Sequence, residues 1–216
     1  LATSGCATKP QNQDVSYNAR QITDPIEPFN RFMFGFNNIV DQLIIEPVAK
    51  GYHALVPQFM RNAVQSFMRN LQSPLIVANS LLQGNVGDAG VATARFVINS
   101  TIGVVGLVDV AKAQGLSYQD EDFGQTLAKW GVGDGFYLVL PIFGPSSLRD
   151  ATGLVVDSYA DPVRIIADNT DNMWIYYTRG AIQGLDNRSR LLGAVDDLRR
   201  NSLDYYAAAK SAYEQK

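Results

Sequence analysis

Apolar side chains recur along much of this chain at the spacing of a helix rather than of a strand. Phe29, Phe32, Met33, Phe36, Ile39, Val40, Leu43 and Ile44 fall at i, i+3, i+4, i+7, i+10, i+11, i+14 and i+15, one continuous helical face. Asp24 and Pro25 mark its entrance, Pro28 suits its first turn, and Pro47 predicts its end. Met60, Ala63, Val64, Phe67, Met68 and Leu71 make a second such face, with Arg61, Asn62, Gln65 and Arg69 turned away. Pro74 predicts a break there, followed by a helix to Leu82 that Gly84 stops in a left-handed conformation. Connections this short set consecutive helices side by side. Strand signals are nearly absent, so the expected class is all-α.

Two stretches depart from this periodicity. Val91 to Val110 is the most apolar, and Phe96 to Val108 carries no charge, yet those 13 residues are interrupted by Asn99, Ser100, Gly103 and Gly106. A spanning helix needs about 20 apolar residues. The expected placement is therefore buried, interfacial or re-entrant. Asp122 to Asp150 gathers Gly124, Gly131, Gly133, Gly135, Gly144, Pro141 and Pro145 around the apolar run Phe136 to Leu140. It predicts a helix from about Phe123 to Trp130, a glycine bend, an extended segment closed by Pro141, and a small hairpin at Tyr137 to Ile142. Pro145, Ser146 and Ser147 then look like the entrance to another helix. That helix runs from Leu148 to Ala160 and breaks before Pro162. Apolar and aromatic residues, including Trp174, Tyr176 and Tyr177, occupy Pro162 to Ala167 and Met173 to Ile182, and Leu185 to Tyr213 predicts two closing helices.

Composition changes the picture in one respect. Of the 216 residues 46% are hydrophobic but only 18% charged, below the quarter or so of an ordinary soluble protein. Some surface is thus expected to face something other than water. A net charge of −3 offers no basic footprint for nucleic acid. One cysteine and one histidine, Cys6 and His53, rule out disulfides within the chain and metal sites built on several Cys or His. No Lys follows the glycines as a phosphate-cradling loop requires, and the spacing is wrong for a dinucleotide fingerprint. Ser146 and Ser147 stand in GPSSLRD, not in the Gly-x-Ser-x-Gly elbow of a hydrolase. The expectation is a protein that is not an enzyme and carries no cofactor.

The start of the chain reads differently. In LATSGC, Ser4 and Gly5 suit a signal peptidase ahead of Cys6, which marks Cys6 for lipidation. Thr3 stands where an aliphatic residue is usual, and an ordinary unpaired thiol is the other reading. Ala7 to Thr23 is polar and aperiodic, so 1–23 is expected to be signal remnant, lipidation site and tether, and 24–216 a single helical domain.

Three blocks carry a family resemblance. DPIEPFNRFMFGFNNIVDQLIIEPVAKGYHALVP, PQFMRNAVQSFMRNLQSPLIVANSLLQG and DFGQTLAKWGVGDGFYLVLPIFGPSSLRD together resemble the MlaA (VacJ) outer-membrane lipoproteins. The resemblance implies a helical ring with a central polar channel, lying in the periplasmic leaflet of a Gram-negative outer membrane. It implies removal of mislocalised phospholipids from the outer leaflet, maintaining lipid asymmetry, with a porin trimer and a periplasmic lipid carrier of the MlaC kind as partners. A charged head group crosses hydrocarbon only at high cost, which a wet path relieves. In that frame Phe96, Val97, Ile98, Ile102, Val104, Val105, Leu107 and Val108 form a membrane-embedded rim. Gly131, Gly133 and Gly135 are hinges for a pore lip made of Phe136, Tyr137, Leu138, Val139 and Leu140. Asn30, Asn37 and Asp41, at steps of seven and four, line the wet path, or else Asn30 caps local backbone and Asp41 is simply solvated. Two rival functions are a structural lipoprotein that scaffolds a porin and an envelope lipid hydrolase.

Overall fold

The computed structural model describes residues 22–215. Cys6, the lipidation site read from the sequence, and most of the tether lie outside them. The tether's last two residues do not belong to it: Ile22 is buried, and the Thr23 carbonyl accepts a hydrogen bond of 2.8 Å from the Tyr137 amide.

Helix α1 (Glu27–Val40) begins with Pro28 in its first turn. Pro47 does not end the helical path. A π-helical turn (Asp41–Ile45), signed by the Glu46 amide bonding to the Asp41 carbonyl, leads directly into α2 (Glu46–Leu55). The wider turn lies where a proline ring would otherwise crowd the carbonyl four residues back. Nor does Pro74 break the next element, since α3 runs unbroken over Gln58–Leu82, its Ser73 hydroxyl donating to the Arg69 carbonyl one turn back. Gly84 then stops it with φ 75°. Helix α4 (Val86–Thr101) packs along α3, and a short α5 (Val110–Ala113) and α6 (Phe123–Lys129) follow. Asn85, Asp109 and Asp122 cap the starts of these three through their side chains.

Strands β1 (Tyr137–Leu140) and β2 (Gly144–Ser147) form one antiparallel hairpin, with Val139 opposite Pro145 and Tyr137 opposite Ser147. Pro145 and Ser146 thus belong to a strand and not to a helix entrance. Ser147 keeps the predicted role, its hydroxyl accepting from the Asp150 amide at the start of α7 (Leu148–Ala160). Helix α8 (Pro162–Asn169) follows with Asp161 as cap. Met173 to Ile182 and the residues after it are one helix, α9 (Met173–Arg190), and two more, α10 (Leu192–Asn201) and α11 (Tyr205–Glu214), close the chain. The stretch Leu185 to Tyr213, read as two closing helices, thus also holds the end of α9, which runs through Gly184 without a left-handed angle. Helices α6 and α7 meet at glycines, and a Cβ on Gly153 would lie 2.3 Å from the Gly124 amide nitrogen.

The polarity of the fold is inverted. One small cluster of buried apolar side chains, Ile22, Tyr137, Val139 and Tyr206, is backed by Met33, Phe34 and Tyr213. Elsewhere Met68, Ile76 and several alanines are enclosed, but polar residues outnumber them, among them Asn30, Asn70, Asn79, Ser80, Asn99, Thr126 and Asp186. Large apolar side chains stand outside instead: Phe32 is 70% exposed and Leu43 73%, both on the α1 and π-turn face whose periodicity reads as a buried stripe in a soluble protein. Contiguous apolar exterior on this scale is foreign to a water-solvated monomer. Among the described residues, no helix is long and apolar enough to cross a membrane.

Candidate functional site

The hairpin is fixed by two asparagines on α1. Asn30 is fully enclosed, donating from Nδ2 to the Tyr137 carbonyl (2.9 Å) and accepting at Oδ1 from the Val139 amide (2.9 Å). Seven residues on, Asn37 donates to the Leu140 carbonyl (2.8 Å) and accepts from the Ile142 amide (2.8 Å). One carboxamide offers a donor and an acceptor side by side, as an opposing strand does, so α1 supplies β1 with a partner on the edge that β2 leaves open. These asparagines therefore face strand backbone. The Asp24 carboxylate secures the same corner, accepting from Asn30 Nδ2 (2.7 Å) and from the Tyr206 hydroxyl.

The segment read as a lip is accordingly anchored along its stem. Tyr137 and Val139 are among the most deeply enclosed side chains, whereas the exposed part is the tip, Pro141 to Phe143, with Ile142 at φ 68°. Of the three hinge glycines, Gly131 and Gly135 have φ of 89° and 73°, and Gly135 also touches Leu148 so closely that a Cβ would come within 2.9 Å of it. Gly133 has open space and no left-handed angle.

Asp41 is neither loose nor simply solvated. Arg188 holds it at 2.7 Å and Arg199 at 3.1 Å, and Arg199 also reaches Glu46 at 3.0 Å. These pairs tie the π turn and α2 to α9 and α10. Lys50 first, and Arg199 after it, hold the Glu46 carboxyl down to about 2.

The rim residues surround a tight turn after α4. Phe96, Val97, Ile102, Val104, Val105, Leu107 and Val108 are exposed and Ile98 half-buried. Inside the turn Gly103 and Gly106 press on Asn99 and Asn70: a Cβ on Gly103 would lie 2.3 Å from the Val108 carbonyl, and one on Gly106 2.6 Å from the Asn70 side chain. Val104 and Val105 both adopt positive φ (54° and 56°), strained for β-branched residues. Arg95 secures the turn from within by pairing with Asp109 at 2.9 Å, and Asn99 donates to Asp109 at 3.1 Å.

A cavity of about 620 Å³ opens beside the hairpin base. Sequence reasoning missed it, because its walls come from Ile22, the end of α3 at Gln83, the α5–α6 loop, α6, the start of α7 and the end of α11. Asp122, Gln125, Ala128, Lys129, Asp134, Arg149 and Asp150 nonetheless all come from the Asp122 to Asp150 stretch. Arg149, only 9% exposed in its side chain, bridges Asp134 (2.6 Å) and Asp150 (2.9 Å). The Tyr213 hydroxyl donates to Asp150 at 2.5 Å, and burial, then that bond, pushes the phenol well above its usual range. Asn30, Asn37 and Asp41 are not among the walls. Ser146 and Ser147 are spent on the hairpin and the α7 cap, and His53 lies against Arg61 (2.6 Å).

The profile of the MlaA lipoprotein family matches residues 22–216. The intermembrane phospholipid transport system lipoprotein MlaA of Escherichia coli strain K12 is 33% identical over 220 residues, covering 98% of this chain and 81% of that protein. The protein of the same name from Haemophilus influenzae is 34% identical over 219 residues, covering 100% and 84%. An uncharacterized protein of Rickettsia bellii is 39% identical over 203 residues, covering 91% and 76%. A solved structure described under "Structural basis for maintenance of bacterial outer membrane lipid asymmetry" superposes with a TM-score of 0.78 at 34% identity, covering 89% of this chain and 96% of that one.

Proposed function

Because this chain belongs to the MlaA lipoprotein family, we propose that it is a non-enzymatic lipoprotein of the outer membrane that removes mislocalised phospholipids from the outer leaflet and so maintains lipid asymmetry. The observation that carries this reading is the inverted polarity: large apolar side chains around the outside, and polar side chains prevailing among the enclosed positions, beside a half-open cavity lined largely by charged residues. An exterior of that kind is solvated by acyl tails. A wet interior relieves the cost of bringing a charged head group through hydrocarbon, a cost of several kcal/mol even for a polar group without partners.

In this reading the helices form a ring lying in the periplasmic leaflet of a Gram-negative outer membrane, anchored by acyl chains on Cys6. The strained turn from Ile102 to Val108 and the outer face of α1 sit among the tails. The tip of the hairpin, rather than its clamped stem, is the movable part of the lip. A porin trimer holds the ring at depth, and a periplasmic carrier of the MlaC kind receives the lipid.

The test is phospholipid on the cell surface of a deletion strain, read with a membrane-impermeant amine label. Surface lipid should rise on deletion and return to normal on complementation. Unchanged surface lipid with disturbed porin assembly would instead favour a porin scaffold, and release of fatty acid by the purified protein would favour a hydrolase.

A further inference from the structure

Polar groups of both signs face the cavity beside the hairpin. Six carboxylates, those of Asp120, Glu121, Asp122, Asp134, Asp150 and Glu214, share its wall with two cations, Lys129 and Arg149. Arg149 is buried against the hairpin base, where Asp134 and Asp150 hold it rigidly. Lys129, at the exposed end of α6, has no carboxylate partner among the described residues. The α5–α6 loop adds Asp120 and Glu121 to the same cavity, and among the described residues neutral groups hold them: Tyr118 donates to Asp120 at 3.2 Å, and Gln83 to Glu121 at 2.9 Å. Among the described residues neither Asp120 nor Glu121 forms an ion pair, and neither does Lys129, although Arg69 lies over the Tyr118 ring that bonds Asp120. Both signs of charge are thus available in a volume of about 620 Å³, within the range of about 300–1,000 Å³ typical of small-molecule sites.

We propose that this cavity is a receptor for a zwitterionic phospholipid head group of the ethanolamine class, its ammonium taken by Asp120 and Glu121 and its phosphate by Lys129 beside Arg149. This rests on the phospholipid reading above and adds selectivity to it. A glycerol head group shares the phosphate but brings no cation to the acids, so its anion enters a mostly negative cavity without recompense. Two ammonium–carboxylate pairs of ordinary strength in a half-open site give an expected preference of about twofold to thirtyfold.

The experiment uses the full-length lipoprotein in detergent, incubated with an equimolar mixture of phosphatidylethanolamine and phosphatidylglycerol, repurified, and its lipids weighed by mass spectrometry. The native protein should retain ethanolamine lipid about twofold to thirtyfold over glycerol lipid. Asp120→Asn with Glu121→Gln keeps both hydrogen-bond acceptors and should return the ratio to that of the supplied mixture at unchanged melting temperature and total lipid. Lys129→Gln, at an exposed position, should lower retention of both lipids. Soluble phosphoethanolamine should compete poorly, and equal competition would mean that the site serves free metabolite rather than lipid. Retention of both lipids in the proportions supplied, or a preference that the double variant leaves intact, overturns the selectivity while the transport reading stands. Retention of neither lipid overturns both.

Discussion

Asn30→Ala removes a side chain that serves two backbone groups of β1 at once. The Tyr137 carbonyl loses its 2.9 Å donor and the Val139 amide its 2.9 Å acceptor, both inside the hairpin core. No strand group replaces them, because both point toward α1, on the edge of β1 away from β2. Leaving a buried donor or acceptor unsatisfied costs about 1–3 kcal/mol each, so the pair costs about 2–6 kcal/mol. At roughly 2–4 °C per kcal/mol for a chain of this size, the melting temperature should fall by about 5–20 °C. Asn37→Ala breaks a pair of the same geometry, but at the exposed Ile142 tip, where water takes over. There the loss should be only about 0.5–1.5 kcal/mol. Thermal unfolding by circular dichroism in detergent, with hydrogen exchange read at Val139 and Ile142, separates the two. Exchange at Val139 should accelerate in Asn30→Ala and remain protected in Asn37→Ala. Equal losses from both substitutions, or a loss below about 1 kcal/mol for Asn30→Ala, would refute the view that the carboxamide stands in for a missing strand.

Other consequences follow from the same geometry. Gly153→Val drives a side chain into the α6 backbone at 2.3 Å and should cost about 3 kcal/mol or more, seen as a lowered denaturation midpoint. Val105→Gly relieves a left-handed β-branched residue (φ 56°) and should stabilise the protein in detergent by about 1 kcal/mol, while Val105→Asp at this exposed site should leave the fold intact and weaken partitioning into vesicles. Glu46 has a folded-state pKa of about 2 against an ordinary 4.5. The native state therefore binds fewer protons there, and its contribution, complete above about pH 5, is lost as pH falls toward 2. Denaturation midpoints followed from pH 6 to 2.5 should accordingly decline less steeply in Glu46→Gln than in the native protein.

The helical class and most element boundaries were legible because a 3.6-residue period survives whichever side of the helix meets water. That indifference is also why the polarity of the fold was not: Phe32 and Leu43 make the same stripe whether it meets a core or a leaflet. Pro47 and Pro74 read as breaks because local chemistry penalises proline within a helix, yet a π turn before one and packing around the other carry the helix through. Asn30 and Asn37 were visible at a spacing of seven, but their partners lie more than a hundred residues on, and no local rule links a helix face to so distant a strand. β2 was hidden for a related reason. Gly144, Pro145 and two serines are turn-forming residues, and only their register against β1 makes them a strand. The cavity was half legible, since the glycine-rich stretch supplies much of its wall, but Ile22, Gln83 and Tyr213 join it only in the fold.

The most direct test of the central claim is collision accessibility of spin labels placed one at a time at Phe32, Val105 and Ile166 on the outside and at Gln125 within the cavity, with the protein in phospholipid vesicles. The outer three should collide with oxygen and be shielded from a water-soluble nickel reagent, while Gln125 shows the reverse. Free access of the nickel reagent to all three outer positions in vesicles would contradict the account, because it would put water where acyl tails are required.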